Sequence, residues 1–115
     1  MSRFEQLFRR LKLDALVIFD ETLFPTDSFG PRRLTELIKR SDIVFIMKTD
    51  IARPIRLEDE FFEIIQLNDK ALIALSEDDP DRCLLGLRIK KGYLLAVGLS
   101  EDPGLLLYEL SLSAK

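Results

Sequence analysis

The sequence predicts an α+β domain: a mainly antiparallel β-sheet with a C-terminal meander, packed by N-terminal and central helices. Three observations predict it. Residues 2–11 carry apolar side chains at helical spacing. Residues 15–19, ALVIF, are apolar without polar alternation, as in a strand covered on both faces. Beyond residue 61, apolar runs are separated by short turns containing Asn, Asp, Pro or Gly, the punctuation of hairpins. The 115 residues suit one compact domain, 1–115, and not two.

The first helix opens at Ser2, in capping-box spacing with Glu5. Phe4, Leu7, Phe8 and Leu11 form its apolar stripe, and Arg9, Arg10 and Lys12 suit its C-terminal dipole. Strand 15–19 follows. Gly30 and Pro31 open a second helix over 31–40, with Leu34, Leu37 and Ile38 on its apolar face. The run IVFIM at 43–47 is predicted as a strand, with extension of the preceding helix as the alternative. Residues 50–60, DIARPIRLEDE, read as a polar connection broken by Pro54.

FFEIIQLN then meets ALIALS across an Asn-Asp-Lys turn. An internal echo follows. ALIALSEDDPDRCLLGLRI and LLAVGLSEDPGLLLYELSL each run apolar, Ser-Glu-Asp, proline turn, apolar. Both copies are predicted to be hairpins, joined by a tight Lys91-Gly92 turn. Leu106, Tyr108, Leu110 and Leu112 alternate with Leu107, Glu109, Ser111 and Ser113, which is period two. Leu85, Leu87 and Ile89 likewise alternate with Arg88 and Lys90. Residues 84–112 are therefore expected to be strands, 93–99 and 105–112 among them.

Composition narrows the chemistry. With 47% hydrophobic and 32% charged residues, the chain is typical of a water-soluble globular domain. No apolar run approaches the roughly 20 residues that span a membrane, so no membrane insertion is expected. The start MSRFEQLFRR alternates charged and apolar residues, unlike a signal peptide. A cytoplasmic location is expected, and the net charge of −3 speaks against nucleic acid. Histidine is absent, which removes Ser-His-Asp and Cys-His nucleophiles and His-ligated metals. No G-x-x-x-x-G-K-[ST] or G-x-G-x-x-G loop occurs. No cofactor, metal or catalytic residue is assigned.

Several carboxylates nevertheless need weighing. Asp20 and Glu21 end the first strand; Glu58, Asp59 and Glu60 precede another; Glu77, Asp78, Asp79 and Asp81 share a turn. SEDDPDR lacks the alternating ligands and glycine of a calcium loop, so a solvated turn is expected. Arg32, Arg33, Lys39 and Arg40 read as a solvated helix face, Cys83 as a buried inert thiol, and Tyr93 and Tyr108 as packing residues.

VIFDETL resembles the opening of the haloacid-dehalogenase-type phosphatase motif, Asp-x-Asp-x-Thr. That resemblance implies Asp20 as nucleophile, with Thr49, Lys70 and Asp78-Asp79 standing for later motifs. Thr22 occupies the place of the second acid. Residues 23–50 also look like a stretch of the P-loop kinases that phosphorylate lipid A disaccharide precursors, but the phosphate loop is missing.

A third resemblance spans both ends of the chain. An opening helix, ALVIFD and ETLFPTDSFG are similar to the start of roadblock/LC7 domains: a helix, then a two-strand hairpin. RCLLGLRIKKGYLLAVGLSEDPGLLLYELSLS looks like their closing three-strand meander. That family places one long helix between the two parts and usually a glycine after the first-strand Asp, where Glu21 and Thr22 stand here. The resemblance implies a non-enzymatic dimerising adaptor that engages a small GTPase or a larger assembly. The alternative is a small phosphotransferase or phosphatase-like enzyme using Asp20. Convergence of Asp20, Thr49 and Asp79 in one cleft would favour the enzyme. The leucines of 105–112 also exceed what one face can bury, so a homodimer covering part of 84–112 is expected, with Leu107 at the interface.

Overall fold

The computed structural model describes residues 2–114. Along the chain run α1 (Arg3–Arg10), β1 (Ala15–Asp20), β2 (Pro25–Phe29), α2 (Arg32–Arg40), α3 (Ile43–Thr49), β3 (Ile55–Leu57), β4 (Glu60–Leu67), β5 (Ala71–Ser76), β6 (Arg82–Ile89), β7 (Gly92–Leu99) and α4 (Pro103–Ala114). The strands form one sheet in the order β2-β1-β7-β6-β5-β4-β3, with every neighbouring pair antiparallel. The class is α+β, as the sequence predicts.

Each face of the sheet holds its own core. Ala15, Val17 and Phe19 of β1 join Leu72, Leu84, Leu95 and Val97 beneath α2 and α3. Leu16 and Ile18 join Ile73, Leu85, Leu94 and Ala96 beneath α1 and α4. This is why β1 lacks polar alternation: both rows of its side chains are covered. The Ser2 hydroxyl accepts the Glu5 N–H at 3.0 Å, giving α1 the cap read from the sequence.

Three elements depart from the reading of the sequence. Residues 43–47 are not a strand but the body of α3. Ile43, Val44, Ile46 and Met47 are buried and Phe45 faces out, the i, i+1, i+3, i+4 pattern of a helix face. Packing overrides the strand preference of Ile and Val here. Asp50, at φ 56°, ends the helix in the left-handed region. Met47 drops onto β6 at Gly86, where a Cβ would stand 2.5 Å from the methionine sulfur.

Residues 105–112 are not the closing strand but part of α4. The Asp102 carboxylate accepts the Leu105 N–H at 3.1 Å, its carbonyl accepts the Leu106 N–H, and Pro103 takes the first helical position. Five leucines in the eight positions 105–112 satisfy period two and period 3.6 alike. The buried set Leu106, Leu107, Leu110 and Ala114 shows which period prevails. The two echoing segments thus diverge: the first is the β5–β6 hairpin, the second a strand, a cap and a helix. Cys83 to Ile89 is interrupted by Gly86, whereas the residues after Gly104 contain no glycine or β-branched residue.

Residues 50–60 are more than a connection, since Ile55 and Leu57 are buried in β3. The sheet's edges are β2 and this three-residue β3. Strands β6 and β7 lie inside the sheet, so 84–99 offers no free edge for pairing across a two-fold. Pro25 within β2 and Pro54 just before β3 further blunt the edges. Leu107, expected at an interface, lies in the core of its own subunit.

Candidate functional site

Asp20 ends β1 opposite Gly92 of β7. Its carboxylate oxygen accepts the Thr22 N–H at 2.9 Å, the Thr22 hydroxyl at 2.6 Å and the Phe24 N–H at 3.1 Å. These bonds, the Thr22 hydroxyl foremost and Phe24 next, hold the carboxyl below its ordinary value. They also shape the β1–β2 turn, in which Leu23 takes φ 69°. Glu21 is exposed in the same turn.

The other residues suggested by the phosphatase resemblance lie apart. Arg82 pairs with Leu99 at the opposite end of β6 and β7 from Gly92. Asp79 sits just before Arg82, so the eight-residue β7 separates the levels of Asp20 and Asp79 by roughly 24 Å. Asp79 accepts the Asp81 N–H at 3.0 Å, and the Ser76 hydroxyl accepts the N–H groups of Asp78 and Asp79. Thr49 donates its hydroxyl to the Phe45 carbonyl at 2.8 Å within α3. Lys70 follows Asn68, whose amide oxygen accepts the Lys70 and Ala71 N–H groups in the β4–β5 turn. The acidic turn 77–81 is a hydrogen-bonded loop. Among the described residues no group of three His, Cys, Asp or Glu side chains is arranged to hold a metal ion.

An ion-pair constellation that the sequence reading missed lies at the Asp79 end of the sheet. Arg82, opening β6, donates to Asp14 at 2.8 Å and to Glu60 at 2.9 Å. Glu60 also accepts the Ser76 hydroxyl at 2.8 Å. These residues tie the entrances of β1, β4 and β6 together. No local spacing signals them, because Asp14 and Arg82 stand 68 positions apart. Arg33 pairs with Glu58 in the β3–β4 turn. Cys83 is buried, and burial, followed by the Asp14 charge, pushes its thiol up to about 11. Tyr93 belongs to the core beneath α2 and α3, whereas Tyr108 is exposed.

A groove of about 620 Å³ lies between α4 and the ends of β5 and β6. Ala71, Leu87, Ile89 and Leu107 give it an apolar floor, and Lys70, Arg88 and Lys90 also line it. Tyr108 forms part of its α4 wall. Beside the groove, Leu105, Tyr108 and Leu112 are each more than half exposed on the outer side of α4. Among the described residues no helix is long and apolar enough to cross a membrane.

No family model matches the chain, and no curated protein matches it.

Proposed function

We propose that the protein is a non-enzymatic, self-associating adaptor or regulatory module of roadblock/LC7 type, with a small GTPase or a larger assembly as its partner. The observation that carries this reading is the contrast between its carboxylates and its apolar surface. Asp20 and Asp79 are held by their own turns at opposite ends of the sheet. Meanwhile Leu105, Tyr108 and Leu112 stand in solvent beside an apolar groove, the kind of surface that marks protein contacts. The order helix, two-strand hairpin, helices, meander supports the family reading. It departs from that pattern in having α2 and α3 in place of one long helix and α4 in place of the last strand. A cytoplasmic location accompanies this reading.

The rival, a phosphatase-like enzyme acting through Asp20, has less support, because three donors already engage the carboxylate and no second acid stands two residues on. Two experiments test the proposal. Sedimentation equilibrium at micromolar concentration should give twice 13.3 kDa; a clean species of 13.3 kDa overturns self-association. A screen of phosphate esters with magnesium should show no turnover. Hydrolysis that disappears in Asp20→Asn would replace the adaptor with the enzyme.

A further inference from the structure

We infer that two copies of this chain pair through the outer face of α4, antiparallel about a two-fold axis beside Tyr108; the inference rests on the self-associating reading above. Helix α4 is apolar on both sides. Leu106, Leu107, Leu110 and Ala114 face the sheet. At 100° per residue, Leu105, Tyr108 and Leu112 gather on the opposite side, 55%, 57% and 56% exposed. An apolar stripe left in solvent on a helix already packed on its other side marks a place for a partner.

The exposed set is self-complementary. Its i, i+3, i+7 spacing is the seam of a two-helix coiled coil. Laid antiparallel on itself, Leu105 meets Leu112 of the second copy, Leu112 meets Leu105, and the two Tyr108 rings meet at the axis. Gly104 and Ser111 flank the seam on the side of the groove. Being small, they let the paired helices roll toward it, so that the second copy's helix lies along the apolar floor.

Charge favours the same occupant. Residues 101–114 include Glu101, Asp102 and Glu109 and no Lys or Arg. The groove is lined by Lys70, Arg88 and Lys90 and by no Asp or Glu. None of these three cations makes an ion pair among the described residues. The helix thus carries acids and no bases and adjoins an apolar groove that carries bases and no acids; Glu109 lies on the flank of α4 away from the groove, so the acids available to a second copy's groove are Glu101 and Asp102 at the start of the helix. The three seam side chains expose on the order of 300 Å² of apolar surface. With the groove wall, this approaches the apolar share of the ~800 Å² that each partner gives to a standard interface. The blunted sheet edges leave this face as the better route to a closed pair.

The test compares the wild type with four variants by sedimentation velocity and cross-linking. Leu105→Glu/Leu112→Glu alters only exposed positions. It should keep the wild-type circular dichroism spectrum and sediment as monomer at concentrations where the wild type is dimeric. Lys70→Glu/Lys90→Glu should raise the dimer dissociation constant roughly ten-fold or more. Tyr108→Cys should form a disulfide-linked dimer under mild oxidation, since the native Cys83 is buried and does not compete. Phe24→Cys, exposed in the β1–β2 turn, should not. A wild-type dimer that survives Leu105→Glu/Leu112→Glu, with no cross-link through residue 108, overturns this interface and leaves self-association standing. A monomeric wild type overturns both.

Discussion

Asp20 lends its carboxylate to its own hairpin, and that has a pH signature. Its folded pKa lies below the ordinary 3.8 because Thr22 and Phe24 donate to the charged form. The stabilisation is therefore fully present above the unfolded value and is lost as pH falls through the folded one. Thermal melts of wild type and Asp20→Asn should differ most at neutral pH and converge as pH drops below about 4. An unchanged gap at low pH would assign the difference to geometry and not to charge. Arg82 makes a second residue-scale prediction. Arg82→Met leaves Asp14 and Glu60 without their common cation while both remain partly buried. After allowance for solvent screening, urea denaturation should show a loss of about 1–2 kcal/mol. Arg9→Met, whose pair with Glu5 is mostly solvent-exposed on one side, should change stability by less than about 0.5 kcal/mol.

At the scale of elements, the legible parts of the sequence were those with one dominant period or a specific stop. α1 had a cap and a stripe; β1 was a short apolar run ending in Asp20; the Asn-Asp-Lys and Lys91-Gly92 turns marked two hairpins. The parts that failed were ambiguous for a physical reason. Ile43, Val44, Ile46 and Met47 fit a strand by propensity and a helix by spacing, and the site over Gly86 favours the helix. The leucines of α4 satisfy both periods, and only Asp102-Pro103, read as a turn, held the helix-start signal. In the candidate site, the placement of Asp20 was legible, but the Arg82 pairs depended on tertiary closure. Two substitutions test the α4 assignment. Asp102→Ala removes the cap and should cost about 1 kcal/mol in urea. Leu107→Glu places a charge in the core and should unfold the subunit or lower its stability by more than about 3 kcal/mol. A folded Leu107→Glu protein would return these residues to the surface.

Over the whole molecule, stability should be graded from the middle of the sheet outward. β1, β7, β6 and β5 carry most of the sheet's fully buried side chains, on both faces, whereas β2 and β3 are five and three residues long at the edges. Native-state hydrogen exchange should therefore find the slowest amides in β7, with Leu94 to Val97 opening only on global unfolding. The amides of 25–29 and 55–57 should exchange sooner, by local fraying. Equal protection across all seven strands would mean that the edges unfold only with the centre. The pairing of β1 with β7, from Ala15–Val97 to Asp20–Gly92, also joins segments about two thirds of the chain apart, a contact that forms slowly because a long loop must close first.

The two outer helices on one face hold the remedy for that slow step. Arg3 of α1 donates to the Ala114 carbonyl of α4 at 3.4 Å, and Arg10 donates to the Ser113 hydroxyl. The beginning and the end of the described chain therefore lie side by side. A short glycine-serine bridge can splice them, and the exposed stretch around Ala52 can be cut to supply new termini. In such a circularly permuted chain β7 is followed by α4, the bridge, α1 and then β1. The central strand pair becomes a connection between near neighbours in the new order, and its assembly should be faster while the rest of the architecture is kept.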